Sequence, residues 1–292
     1  AYNNKIYMKD CLDSVISQSF KDFEIVVCDD HSTDGTYDIL LQYQSESDNI
    51  RVLRNSKNMG VTPARHRAIM ESRGKYITTL DHDDIYISKD KLLNEITLTR
   101  DHKQRSNKDV CAFSEIYIIN EYKEIVQPQW DPSLIAQGNI FNKIISRSAM
   151  IPRDFIFLRE DYFRVGGFDP KLKLYEDWDL KIRLANIREF YYTGSPGTGY
   201  RRINFGHSYS FTPHEHLKSL KEVFRKNVNL IAGEEKAFCE NAFSSYLSER
   251  KSKGIKRLQR AIVKHINNRK PEKVMFYLFQ MAQLHLLNTR IK

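Results

Sequence analysis

Two short apolar runs in this 292-residue chain each end directly in carboxylates. Ile25-Val26-Val27-Cys28 leads into Asp29-Asp30, and the run Tyr76 to Leu80 leads into Asp81-His82-Asp83-Asp84. A short run apolar on both faces suits a strand buried between two layers of helices, as in parallel sheets. In such sheets ligands gather beyond the carboxyl ends of the strands. Carboxylates packed as closely as those of 81–84 repel one another by about 4 kcal/mol per pair at ~4 Å and an effective dielectric of about 20, unless a cation neutralises them. Their hard oxygens suit Mg²⁺ or Mn²⁺, ions that keep waters and take substrate phosphates as further ligands. An acidic turn in isolation is more often a solvated helix cap. Its place at a strand end favours the metal.

The surrounding pattern alternates helix and strand. Met8, Leu12, Val15 and Ile16 recur at helical spacing, and the strand Glu24–Asp30 follows. Ser32 is placed to cap a helix over Thr36–Gln44. Ile50–Leu53 reads as a strand, and Thr62-Pro63 as an N-cap with proline at the first helical position. Tyr76–Leu80 is the next strand, Lys91–Arg100 a helix and Val110–Ile119 a further strand. Residues 126–153 look loop-rich. This βαβ succession predicts a doubly wound parallel α/β sheet. After about residue 210 the chain turns helical and basic.

Bulk properties narrow the function only a little. With 41% hydrophobic and 28% charged residues, the chain reads as globular rather than disordered. No apolar run reaches the ~18 residues that span a bilayer. Cys11, Cys28, Cys111 and Cys239 share no metal-binding spacing; Cys28 and Cys111, in apolar strand-like runs, read as core residues, and a reducing cytoplasm fits. A net charge of +9 fits phosphorylated substrates, anionic lipid or nucleic acid, and no recognition motif supports the last.

Several segments, taken together and in order, resemble the family 2 inverting glycosyltransferases of GT-A fold. They are Tyr2-Asn3, Ser14 to Phe20, Val26 to Thr36, Asn58-Met59-Gly60 with Ala64-Arg65, Gly74 to Ile77 with Asp81 to Asp84, Gly166-Gly167-Phe168-Asp169, and Glu176-Asp177-Trp178-Asp179-Leu180. The resemblance covers roughly residues 1–210. It implies a Rossmann-like, mostly parallel sheet flanked by helices, forming a catalytic domain over 1–210, with a helical basic region over 211–292. Family chains begin with an apolar strand just before the Tyr-Asn element, and this sequence starts at Ala1. The sheet is therefore expected to be short by its first strand.

The resemblance also assigns roles. Tyr2 would stack on the nucleotide base and Asp30 would accept a hydrogen bond from it, which favours uracil. Arg65 would lie near the donor. Asp83 would hold the divalent metal, with Asp81 at the ribose or a metal-bound water. Asp177 would be the general base that takes the acceptor hydroxyl's proton, and Glu176 would position the acceptor. By itself an acidic pair in a helix's first turn is ordinarily a partner of the helix dipole. Arg201 and Arg202 would clamp the diphosphate and His207 complete the metal shell, although their spacing departs from the family's Tyr-Arg-x-His element. The implied activity moves one sugar from a nucleotide diphosphate donor, a UDP-sugar by preference, onto a glycan or lipid-linked acceptor in cell-surface glycan assembly. The chain lacks a Gln-x-x-Arg-Trp motif, which argues against a processive synthase.

Ile255, Leu258, Ile262 and Ile266 recur at helical spacing among Lys256, Arg257, Arg260 and Lys264. This is a helix with a solvated basic face, or one that touches an anionic membrane on its cytoplasmic side or another copy of the chain. Two other readings compete for the whole. A sugar nucleotidyltransferase would need a glycine-rich loop, and residues 1–20 contain no glycine. A non-catalytic sugar- or lipid-binding module sits badly with the intact Asp83 and Asp177.

Overall fold

The computed structural model describes residues 1–129, 131, 135–202, 212–268, 270–287 and 289. The chain forms two compact units, one of residues 1–140, 150–171 and 183–204 and one of 141–149, 172–182 and 205–292. The sequence reading drew its boundary between residues 210 and 211. The recruitment of 141–149 and 172–182 into the second unit was not legible in it.

The first unit opens with α1 (Lys5–Ile16), β1 (Ile25–Asp29), α2 (Thr36–Glu46), β2 (Ile50–Arg54) and α3 (Val61–Glu71). The periodicity of α1 buries Met8, Cys11 and Leu12 against Leu40 of α2, with Ile25, Val27, Val52 and Leu80 around them. β1 and β2 pair in parallel, Ile25 opposite Ile50 and Asp29 opposite Arg54. Two helix starts differ from expectation. Ser32 does not cap α2; Gly35 takes that position, and the Asp34 carboxylate accepts the N–H of Thr36. α3 begins at Val61 rather than after Thr62, which puts Pro63 third in the first turn, where a missing N–H costs nothing.

The unit continues through β3 (Tyr76–Ile77), β4 (Ile85–Tyr86), α4 (Lys91–Ser106), β5 (Cys111–Ile119), β6 (Ile125–Pro128), β7 (Phe157–Leu158), α6 (Arg159–Arg164) and β8 (Phe190–Arg201); α5 (Phe141–Ile145) belongs to the second unit. The strands are mixed in direction, which corrects the expected doubly wound parallel sheet. β5 and β8 run parallel, while β3–β7, β4–β8 and β5–β6 are antiparallel. The strand expected over Tyr76–Leu80 keeps only two paired residues. Beyond them the hydroxyls of Thr78 and Thr79 donate to the carbonyls of Asp154 and Arg153 instead. β8 passes so close to β5 that a Cβ on Gly197 would stand 2.5 Å from the Ser114 Cβ. That is why an interior strand can carry the sequence Gly-Ser-Pro-Gly-Thr-Gly.

Among the described strands β1 pairs with β2 alone. On its other edge the Ala1 nitrogen donates to the Cys28 carbonyl at 2.6 Å and the Ala1 carbonyl accepts from Asp30 N–H at 2.8 Å. This is the hydrogen-bond pattern of parallel pairing. Beside it a cavity of about 980 Å³ extends between β1 and the run Tyr76–Leu80, lined by Met8, Leu12, Val27, Ile69, Ile77 and Ile96 among others.

The second unit holds α5, the start of α7 (Glu176–Ala185), α8 (Pro213–Asn227), α9 (Glu235–Asn267) and α10 (Pro271–Leu286). α8 starts on a capping box between Thr212 and Glu215. Phe224, Phe243 and Trp178 pack ring on ring at its centre. α9 is 33 residues long. Of the four apolar positions expected to face inward, Leu258 is buried while Ile266 is 58% exposed. No helix among the described residues is long and apolar enough to cross a membrane.

Candidate functional site

The turn between β3 and β4 brings one carboxylate oxygen each of Asp81, Asp83 and Asp84 within 4.8 Å of one another. Asp84 N–H donates to the Asp81 carbonyl at 3.0 Å and closes the turn. Its backbone is tied down from α1, since Asn4 Nδ2 donates to the His82 carbonyl at 2.8 Å. From β8, Arg201 donates through its backbone N–H to Asp84 Oδ1 and through Nε to the Asp83 carbonyl, each at 2.9 Å. A cation needs such a rigid, pre-assembled ring of oxygens more than it needs charge alone.

Two guanidiniums neutralise the cluster. Arg65 Nη2 meets Asp81 Oδ1 at 2.6 Å. Arg153 pairs with Asp84 Oδ2 at 2.8 Å and with the second oxygen of Asp81. Burial would raise the Asp81 carboxyl, but Arg153 and then Arg65 outweigh it and hold the group well below the usual carboxylate range. Burial pushes Asp84 up, with Arg153 opposing and the Asp83 and Asp81 charges adding to the rise. The turn thus joins acids of opposite tendency, and three hard oxygen donors of this geometry fit Mg²⁺ or Mn²⁺.

Tyr2 is 43% exposed, three residues ahead of α1. Asp30 is buried, and its carboxylate accepts from Asn55 Nδ2 and Met59 N–H on one oxygen and from Gly60 N–H on the other, at 2.7, 2.9 and 2.7 Å. Asp30 therefore anchors the loop before α3, whatever else it binds. Arg201 was expected to reach for a diphosphate. Its side chain is instead fully buried, donating also to the Glu121 carbonyl at 2.8 Å and to Asp10 at 3.1 Å, which makes it a brace beneath the acidic turn. Arg202 is exposed at the end of β8. His207 lies outside the described residues. Gly166 and Gly167 form the expected turn with φ of +84° and +66°, and a Cβ on Gly167 would press on the Tyr162 ring at 3.0 Å.

In the second unit, Glu176 and Asp177 open α7 as the sequence suggested. Asp177 is 23% exposed at its side chain and accepts from Lys181 Nζ, one turn on, at 2.8 Å. Glu176 is buried. Asp179 is fully buried and holds Lys226 and Asn227 of α8 at 3.0 and 2.8 Å. Trp178 donates to the Ile144 carbonyl at 2.8 Å. Of the acids here, Asp179 is structural and Asp177 faces solvent beside the positive end of a helix.

Sequence reasoning missed Arg153, which sits in the stretch read as loop-rich. It also missed the buried network behind it, in which Tyr200 donates to Asp154 at 2.9 Å and Lys91 pairs with Glu95 at 2.9 Å and with Asp154 at 3.6 Å. Lys91 and Glu95 stand four apart on a helix, which was a visible sign, but nothing marked them as interior.

Comparison with known proteins bears on the family and the fold. A B. subtilis (strain 168) protein named as a putative teichuronic acid biosynthesis glycosyltransferase, TuaG, is 37% identical over 114 residues, 39% of this chain and 42% of that protein. An Escherichia coli protein, the UDP-Glc:alpha-D-GlcNAc-diphosphoundecaprenol beta-1,3-glucosyltransferase WfaP, is 33% identical over 122 residues, 42% of this chain and 45% of that one. The chain thus spans less than half the length of these two relatives. The structure of S. aureus TarS 1-349 in complex with UDP-GlcNAc superposes with a TM-score of 0.67 at 18% identity, over 97% of this chain and 79% of that one, and shows that the fold is shared. The model of the family described as glycosyl transferase family 2 matches residues 1–152, and the chain belongs to that family.

Proposed function

We propose that the protein is an inverting, non-processive glycosyltransferase that transfers a single sugar from a UDP-sugar to a hydroxyl of a glycan or lipid-linked acceptor in cell-surface glycan assembly, with help from Mn²⁺ or Mg²⁺. The observation that carries this reading is the Asp81–Asp83–Asp84 cluster at the end of the β3 run in a chain of this family. The names of the similar bacterial proteins support a UDP-sugar donor and a cell-envelope acceptor.

In this reading Asp83 and Asp81, with Asp84 beside them, hold the metal. When bound, the ion supplies Lewis-acid stabilisation of the charge that gathers on the leaving diphosphate. Tyr2 stacks on the base and Asp30 selects it, while Arg65 and the exposed Arg202 add positive charge for the diphosphate. Asp177 removes the acceptor's proton as its oxygen attacks the anomeric carbon from the face opposite the leaving group, which inverts configuration. The contact with Lys181 Nζ at 2.8 Å holds the Asp177 carboxylate in place at the start of α7. Glu176 orients the acceptor. Basic residues of α9 and the exposed Met275, Phe276 and Phe279 of α10 support peripheral contact with an anionic membrane.

The test is UDP release from UDP-sugars with a mixed panel of lipid-linked and free glycan acceptors. Asp177→Asn is expected to lose transfer by at least about a hundredfold while keeping UDP affinity. Asp83→Ala is expected to lose both. Turnover at background rate in the unmutated protein, with UDP still bound, would instead favour a binding module.

A further inference from the structure

Arg153 occupies an unusual position. Its two Nη atoms straddle the acidic turn, one on Asp81 and the other on Asp84 at 2.8 Å, so it bridges two of the three carboxylates that would hold a cation. The side chain is a third exposed, so it has open space on one side. Its backbone is fixed, since Arg153 N–H donates to the Tyr200 hydroxyl at 2.9 Å, and the guanidinium lies 4.6 Å above the Tyr200 ring. The Tyr200 hydroxyl in turn donates to Asp154 at 2.9 Å. A fixed backbone and a charged tip open to solvent on one side describe a group that can exchange partners without moving the chain.

We propose that Arg153 is a built-in counter-cation of the acidic turn, and that its exchange from carboxylates to donor diphosphate couples metal binding to nucleotide binding. This rests on the metal reading given above. A divalent ion held by Asp81, Asp83 and Asp84 would compete with the guanidinium for these carboxylates and repel it. Once expelled, the guanidinium lacks an anion, and the planar fork that bridged two carboxylates matches a diphosphate equally well. Metal without nucleotide therefore has to displace an ion pair and leave a cation unpaired. Metal with nucleotide leaves every charge matched. The linkage is reciprocal, so the nucleotide also gains from the metal by the same factor. Without metal, Arg153 keeps the cluster from flying apart.

Mn²⁺ titration followed by electron paramagnetic resonance, with and without UDP, tests this on the full chain. Unmutated protein is expected to bind Mn²⁺ weakly alone and at least about tenfold more tightly with UDP. Arg153→Gln is expected to bind Mn²⁺ alone about tenfold more tightly than the unmutated protein, and the gain from UDP should shrink by a similar factor. Arg153→Lys keeps the charge but cannot bridge two carboxylates, so its Mn²⁺ affinity should lie between the two; it carries the test if the glutamine variant does not fold. A merely structural role for Arg153 would lower Mn²⁺ affinity on substitution or leave it unchanged, and either result overturns the inference while leaving the metal site intact. Absence of saturable Mn²⁺ binding in all three proteins, even with UDP, overturns the metal reading and this inference with it.

Discussion

Arg201 and Asp10 meet at 3.1 Å, joining the last residue of β8 to α1 across 191 positions of sequence. The arginine also lies 4.3 Å from the Tyr7 ring and donates to the Asp83 carbonyl, so one buried side chain ties the first helix, the last strand and the acidic turn together. Arg201→Met removes all of these contacts. It is expected to lower stability by about 3 kcal/mol in a denaturant titration, since it leaves Asp10 and two carbonyls short of a donor. The loss should be accompanied by weaker Mn²⁺ binding, because the turn loses its support.

The contact between β8 and β5 sets a second expectation. A methyl group on Gly197 meets the Ser114 Cβ at 2.5 Å and the Glu115 carbonyl oxygen at 3.1 Å, and both neighbours belong to a buried strand. Gly197→Ala is expected to cost about 2 kcal/mol by overpacking. Gly138→Ala meets nothing within 4 Å, so only its φ of +84° opposes it and the cost should be about 1 kcal/mol. Thermal melts of the two variants check the order.

Glu95 gives a pH dependence. Burial pushes its carboxyl up to about 7, although Lys91 and the Ser114 hydroxyl both donate to it. A carboxyl that binds its proton more tightly folded than unfolded brings stability that is complete below the unfolded value of 4.5 and is lost as pH rises through about 7. Glu95→Gln removes this descent. The variant carries no proton to lose at this position, so its melting temperature should change less between about pH 5 and 8. Melts across that range decide the matter, and equal slopes would contradict it.

Much of this was legible in the sequence, for physical reasons. The run Ile25-Val26-Val27-Cys28 stands out as uniformly apolar and forms β1, with Ile25 to Val27 half-buried and Cys28 buried, and charge crowding makes Asp81 to Asp84 stand out. Strand direction was not legible, because β8 is written in glycine, proline and serine, the residues that usually mark turns. Its strand identity comes from the close approach to β5. Arg153 was invisible for a similar reason. It lies between Pro152 and Asp154 with no periodic pattern, and its value comes from Asp81 and Asp84, which only folding brings to it. Asp30 was read as a base-binding group, and the three donors it accepts from residues 55–60 could not be foreseen from spacing.

The central claim is that the Asp81–Asp83–Asp84 turn binds a divalent cation together with a nucleoside diphosphate. Isothermal titration of UDP into the protein and into Asp83→Ala, each with and without Mn²⁺, tests it most directly. The account predicts UDP binding at least about tenfold tighter with Mn²⁺, and loss of that gain in Asp83→Ala with the variant still folded. UDP binding of equal strength in all four titrations would contradict it.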